Sequence, residues 1–584
     1  MVGTVLVLAT WLVSLVAISA LGMPLARLVG PRQPLANVLR ASLWWGLAVA
    51  AFLILALNLV VPLRSAVAAW TIIAAVVALG TVGIVQLRRD RRPVGLGLHG
   101  RWWLIVLFAA MALAIGHLAV WALGSVTNYD SGLYHLGAVR YAGEYATIPG
   151  LANLFFPFGY GNSVFPMASF LGNGPWDGQG FRLFNGLLIV LMVADAALRL
   201  LVRRHSVGTY VLLVGLVASW VPLVALPDYW VTSPTADSAV LVLTVVACAY
   251  LSDAVAGGRS WLVHGAVAFI ISILLVSMRP LMAFFAAAVL IVLVVRAVAT
   301  RRRVSPTSHD VRVWSLLAII AVMFGVLQLA RDYFLSGWLQ YPLAILPFDV
   351  AWRAPDPSDA TRATLGAARD PSGLWSAADG WAWVPAWFGR LPSQWETYAV
   401  LGLAAVTLAT VLVTRAVTGQ WLRRAVWLAM APSAVTVVVW WVATPPSFRF
   451  VWGPLFMLAA IPLGWALHAA ATCSHPWWSS RIDPIVAVGV AVAVVVLVGY
   501  CTVLRFDTAV ATEQRTMSLG PLDIGYAVAP VAEVPFQQHP AQGGIVLLVP
   551  VGGDLCWDVW PMCVGSLPVS VSPRGASIQD GFTP

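Results

Sequence analysis

No lysine occurs in this chain; every one of its 34 basic residues is an arginine. Acids are scarcer, at 24, and charged residues of both signs make up only 10% of 584 positions, against 60% hydrophobic. That shortage of charge excludes a soluble globular protein of this size. No basic residue precedes the first apolar run, Val5 to Leu21, which leads straight into a second; the pattern of a cleavable signal peptide is therefore not expected. No internal repeat is evident, so an inverted-repeat transporter finds no support. Cysteine is rare too, with five residues. Cys248, Cys473 and Cys501 lie singly in or beside apolar runs, as packed free thiols do. Cys556 and Cys563 lie close together in the polar tail, and with no further Cys or nearby His to complete a ligand set they suit a small disulfide loop better than a metal site.

What the chain does have is a succession of apolar runs long enough to cross a bilayer. Fourteen spans are expected, at 4–25, 41–61, 67–87, 102–124, 181–201, 207–226, 237–255, 262–278, 281–297, 313–331, 397–414, 426–443, 450–470 and 484–504. The fold class is thus an all-α polytopic membrane protein. It divides into N-terminal helices (1–124), a first large polar loop (125–180), central helices (181–331), a second large loop (332–396), C-terminal helices (397–504) and a polar tail (505–584).

Arginine placement orients the spans. With loop 125–180 outside, most of the arginines, including Arg27, Arg40, Arg199, Arg301, Arg312, Arg423 and Arg424, fall in short loops on the cytoplasmic side. The net charge of +10 then reflects topology rather than nucleic-acid binding. Both large loops, the tail and both termini are expected outside a bacterial plasma membrane. The cytoplasmic loops are short and hold no phosphate-binding glycine motif, which argues against a nucleotide donor.

The segment from Ser125 to Gly180 concentrates the chemistry. It carries Asp130, Tyr134, His135, Arg140, Glu144 and Asp177 between two apolar spans. An ionisable group at a membrane boundary is functional or paired; Asp130 also suits a helix N-cap. Arg140 and Glu144, four apart, suit a surface salt bridge. His135 suits either a hydrogen-bonded interfacial position or a substrate contact. Isolated arginines stand at the outer ends of later spans: Arg279 in SMRP, Arg331 in ARDYF and Arg449 in PPSFRF. Their forked donors match phosphate, although any boundary arginine can snorkel to headgroups. Asp237 suits an N-cap, and Asp228 and Asp237 also suit contact with a sugar hydroxyl or a cation. The tryptophan-dense stretch 373–395 suits an amphipathic helix on the membrane or stacking on sugar rings. Part of 353–380, rich in Ala, Pro, Asp and Ser, reads as flexible.

In order along the chain, YDSGLYHLGAVRYAGEYATIPGLANL, RDYFLSGWLQYP, DVAWRAP, TPPSFRF, CWDVWPMC and RGASIQDGF resemble a family of bacterial multi-pass glycosyltransferase-like proteins, similar to the GT-C superfamily that includes protein O-mannosyltransferases and lipid A aminoarabinose transferases. The resemblance covers about residue 125 to the C-terminus. It implies a sugar transferred from a polyprenyl phosphate to a glycan, lipid or protein acceptor at the outer leaflet, without a metal or other cofactor. It assigns the general base to Asp130 and lipid-phosphate binding to Arg279 and Arg449; Tyr134, His135, Glu144, Asp237 and Arg331 are expected as further substrate contacts from their own placement in the sequence. The alternatives are a flippase or transporter of lipid-linked sugars and a non-catalytic envelope scaffold. One departure stands out: the acidic loop follows the fourth span, and no second acid adjoins Asp130.

Overall fold

The computed structural model describes every residue except 1, 32, 90–100, 203–204, 226–230, 259, 302–306, 371–379, 420, 506–511 and 520–521. The long helices are α1 (Val2–Val29), α2 (Leu35–Asn58), α3 (Ala66–Arg89) and α4 (Trp102–Trp121) before the first polar loop. That loop contains α5 (Leu136–Glu144) and α6 (Val164–Phe170). Then come α7 (Phe184–Leu200), α8 (Val207–Ala225), α9 (Ala236–Ala256), α10 (Trp261–Met278), α11 (Met282–Arg301) and α12 (Ser308–Ser336). The second loop carries α13 (Ser358–Arg369) and α14 (Val384–Gly389), and α15 (Trp395–Thr418), α16 (Ala425–Ala443), α17 (Trp452–Ala471) and α18 (Pro476–Arg505) follow.

Among the described residues, twelve helices are long and apolar enough to cross a membrane. The all-α, multi-pass architecture stands, and these twelve coincide with twelve of the fourteen expected spans. The span expected at 181–201 begins only at Phe184, after a 3-10 turn at Gln179–Arg182, and carries Asp195 and Arg199. The span expected at 207–226 corresponds to α8, and its last expected position lies outside the described residues. Of the stretch 353–380, α13 orders the first part, while 371–379 lie outside the described residues.

Burial sorts the helices into layers. The most apolar window of α9 is 94% buried, so α9 is the axis of the bundle, with α8, α10 and α17 packed against it. On α15 only 11% of that window is buried, and Leu401, Val406 and Leu408 point outward. Apolar side chains all round an inner helix, and outward-facing ones on an outer helix, are what a lipid solvent dictates. Helix α1 crosses α2 at glycines: a Cβ on Gly22 would fall 2.0 Å from the Ser42 carbonyl oxygen, and one on Gly46 1.7 Å from that of Ile18. Small residues at a crossing let backbones approach, the usual device for packing helices in lipid.

The polar segments meet at one end of the bundle. The second loop contributes a hairpin, β1 (Trp338–Gln340) with β2 (Ile345–Pro347). The tail holds three more antiparallel pairs: β3 (Glu513–Leu519) with β4 (Leu522–Val528), β5 (Phe536–Pro540) with β6 (Val546–Pro550), and β7 (Ser572–Pro573) with β8 (Phe582–Thr583). Cys556 and Cys563 form the expected disulfide. The tail is built into the first loop: Ala529 N–H donates to Leu123 O (2.7 Å), Trp557 N–H to Gly132 O (3.0 Å) and Phe582 N–H to Pro149 O (2.9 Å). Gly150 N–H in turn donates to Phe334 O (2.8 Å), and Asn153 Nδ2 to Trp352 O (3.0 Å), joining the second loop to the first.

Candidate active site

Four charged side chains from four separate segments converge beneath these loops. Asp130 stands where the chain leaves α4 and enters a π-helical turn, Ser131–His135, that runs into α5. Its side chain caps no helix; Asp130 Oδ2 accepts from Arg449 Nη1 at 2.8 Å. Arg449 lies in a 3-10 turn, Phe448–Val451, that feeds α17. Asp237 sits one residue into α9, whose N-cap is Thr235, accepting from the Asp237 N–H at 3.2 Å. Asp237 is therefore not the cap; its carboxylate pairs with Arg279, the residue that ends α10, and lies 3.9 Å from Arg449 Nε. The Phe450 ring underlies both guanidinium groups, 4.4 Å from that of Arg279 and 5.2 Å from that of Arg449. Such stacking favours a cation in a desolvated setting.

Among the described residues two carboxylates and two guanidiniums meet here, and Asp237 supplies the second acid missing beside Asp130 in sequence; Asp228 lies outside the described residues. Arg279 retains an unused donor: its buried Nη1 has no hydrogen-bond partner among the described residues. Burial and access differ across the group. Asp237 is 3% exposed as a residue, while the side chains of Asp130 and Arg449 are 19% and 30% exposed.

His135 and Tyr134 adjoin the quartet. His135 is buried, bonded through Nδ1 to Ser131 Oγ (3.2 Å) and packed on Tyr134 and Phe165. Burial pulls its pKa down to about 3; Asp237 opposes that shift, and Arg449 and Arg279 reinforce it. The ring is therefore neutral at physiological pH and works as a wall with a polar edge. Burial, with the Asp130 carboxylate nearby, raises the Tyr134 phenol well above its ordinary value, so it stays protonated.

Two expected contacts lie elsewhere. Arg331 is buried on α12, donates to Asn58 Oδ1 (3.0 Å), and lines a small separate cavity with Tyr141 and Tyr160. Glu144 accepts from Trp560 Nε1 (3.2 Å) and lies 3.9 Å from Arg64. The expected Arg140–Glu144 pair does not form, because Arg140 is taken by Asp558 of the tail, with its Nη1 also donating to the Asp558 carbonyl (3.0 Å). Sequence reasoning also passed over Arg182. It is fully buried and donates to Gln179 Oε1 (2.8 Å), Ala529 O (2.6 Å) and Gly124 O, pinning the tail to the start of the first loop. The signal was the one used for Arg279: an isolated arginine at a span boundary.

A second polar group lies buried among α2, α7, α8 and α9. Asp195 accepts from Trp44 Nε1 (2.6 Å) and Arg199 Nε (2.8 Å); Arg199 Nη1 donates to Asp253 Oδ2 (2.7 Å), and Gly208 N–H to Asp253 Oδ1 (2.7 Å). Arg40 and Arg199 stack on the Tyr250 ring. Arg40 and Arg199, expected in cytoplasmic loops, are thus buried between helices, because the carboxylates of α7 and α9 draw the guanidiniums inward.

Among the described residues no cluster of His, Cys, Asp and Glu is arranged to hold a metal ion. No curated protein matches the sequence. A family model matches residues 5–456, a stretch that takes in Asp130, Asp237, Arg279 and Arg449 and stops short of the strand-bearing tail. By that match the chain belongs to the family described as Domain of unknown function (DUF8201).

Proposed function

We propose that the protein is a GT-C-type glycosyltransferase that moves a sugar from a polyprenyl phosphate to a cell-envelope acceptor at the outer leaflet. The observation that carries the reading is the pairing of Asp130 with Arg449 within a charged group that also holds Asp237 and Arg279. In this reading the quartet is a resting state. A lipid phosphate brings negative charge to Arg449 and to the unused Nη1 of Arg279, and competes with Asp130 for Arg449. Donor binding thereby releases the Asp130 carboxylate to act as base. The acceptor hydroxyl gives its proton to Asp130, its oxygen bonds to the anomeric carbon, and the carbon–oxygen bond to phosphate breaks with the electron pair leaving on the phosphate. Arg449 and Arg279 neutralise the charge gathering there. The single displacement inverts the anomeric centre.

A flippase of lipid-linked sugars is the competing reading, favoured by the buried group at Asp195, Arg199 and Asp253. Charges between helices mark transport paths. Here, however, each carboxylate is fully engaged, and the helices bearing them are unbroken at those positions.

The test uses the full chain in proteoliposomes with polyprenyl-phosphate mannose, glucose, galactose and arabinose, each radiolabelled in the sugar, together with envelope extract as acceptor. Label should move to the extract for at least one donor. Asp130→Asn should cut that rate by about a hundredfold or more while leaving the melting temperature near that of the parent. Movement of donor across the bilayer with no transfer, unaffected by Asp130→Asn, would establish the flippase instead.

A further inference from the structure

Arg449 faces two ways. On one side it meets Asp130; on the other it lines a cavity of about 370 Å³ between the second loop, the start of α15 and the turn before α17. A space of that size is at the small end for ligand sites, about 300–1,000 Å³. Its walls include Trp387, Trp395 and Trp452, the last two with ring centroids 5.6 Å apart. Glu396 lies in the same wall and is only 6% exposed. Its Oε1 accepts from Trp452 Nε1 at 3.2 Å, while its Oε2 is buried and has no hydrogen-bond partner among the described residues. No cation among the described residues stands within ion-pair distance of it.

A membrane-surface helix explains exposed aromatics such as Trp381 and Phe388. It does not explain a carboxylate buried among indoles with one oxygen unused. Leaving such an oxygen unsatisfied is costly, so the arrangement points to a ligand that supplies donors. That ligand must also offer an apolar face to tryptophan. A sugar ring does both: its C–H face packs on an indole while its hydroxyls donate at the rim.

We propose that this cavity is a glycosyl subsite, with Glu396 accepting hydrogen bonds from ring hydroxyls, Trp395 and Trp452 packing on the ring, and Gln394 adding an amide contact. The placement rests on the transferase reading, in which the ring sits here, its phosphate meets Arg449, and the anomeric carbon turns toward Asp130. The sugar recognition itself stands without that reading.

The test measures binding, not turnover. The full chain in lipid nanodiscs is titrated with citronellyl-phosphate mannose, glucose, galactose and arabinose, with the four methyl glycosides, and with sugar-free citronellyl phosphate, using saturation-transfer NMR. At least one sugar-bearing probe should show saturated ring protons and bind about tenfold or more tighter than citronellyl phosphate. Glu396→Gln should weaken it by about tenfold or more, the range for a hydrogen bond to a charged group. Trp395→Ala should also weaken it, and carries the test with Gln394→Ala if Glu396→Gln does not fold. Methyl glycosides that bind with the same Glu396 dependence identify a free sugar as sufficient; binding only by the phosphate-linked probes identifies a lipid-linked one. No ring saturation from any probe overturns the proposal, as does undiminished binding in folded Glu396→Gln and Trp395→Ala. Sugar binding without any transfer would sink the transferase and spare the subsite; transfer that survives both substitutions would do the reverse.

Discussion

At the scale of single residues, the site is a balance of charge with one neutral ring beside it. His135 shows how burial sets a protonation state. Its folded pKa, about 3, lies below the ordinary 6.5. As pH falls, the unfolded chain takes up that proton first. Stability from this residue is therefore full above about pH 6.5 and is lost progressively as pH falls toward about 3. Between about pH 7.5 and about pH 5 the wild-type melting temperature should drop, and His135→Phe should drop less. Equal losses in the two proteins would mean that the ring is not held neutral. The same scale explains what sequence could and could not reveal. Asp130, Asp237, Arg279 and Arg449 were legible because a lone charge beside an apolar run has few bland explanations. Their partners were not, because each pair joins residues far apart in the chain. Arg140 looked tied to Glu144 four residues on, yet Asp558, 418 positions away, holds it. Glu396 was overlooked because an acid in the first turn of a helix already has an ordinary reason to be there.

At the scale of elements, the long helices were readable from apolar length, while their contacts depend on side-chain size. The α1–α2 crossing tests that. Gly46→Ala would drive a methyl group against the Ile18 carbonyl, and Gly22→Ala one against that of Ser42, so the helices must separate. Each should cost about 3 kcal/mol, the upper part of the usual range for overpacking, seen as a lower melting temperature or faster loss of monodispersity in detergent. Gly402→Ala on α15 is the control, since nothing lies within 4 Å of its added carbon. It should be neutral or slightly stabilising, by up to about 1 kcal/mol from helix propensity. If Gly46→Ala behaved like Gly402→Ala, the close crossing would be wrong. Helix α7 marks where apolar length alone misleads: it spends two of its positions on Asp195 and Arg199, which serve a buried network.

At the scale of the whole molecule, everything depends on which way the bundle faces. Donor chemistry at the outer leaflet requires the loop-bearing end, with Asp130 and the Cys556–Cys563 bridge, to lie outside, and the arginine-rich end inside. A disulfide on one side and an unpaired thiol on the other fit that arrangement, since disulfides persist in oxidising compartments. The chain carries its own reporter. Of the cysteines outside the disulfide, Cys248 and Cys501 are buried, whereas Cys473 is partly exposed between α17 and α18, at the end away from the loops. In intact cells a membrane-impermeant maleimide should therefore leave the protein unlabelled. After permeabilisation it should label once, and Cys473→Ser should abolish that label. Labelling of Cys473 in intact cells would invert the bundle, put Asp130 and Arg449 on the cytoplasmic face, and remove the outer-leaflet donor on which the proposed chemistry depends.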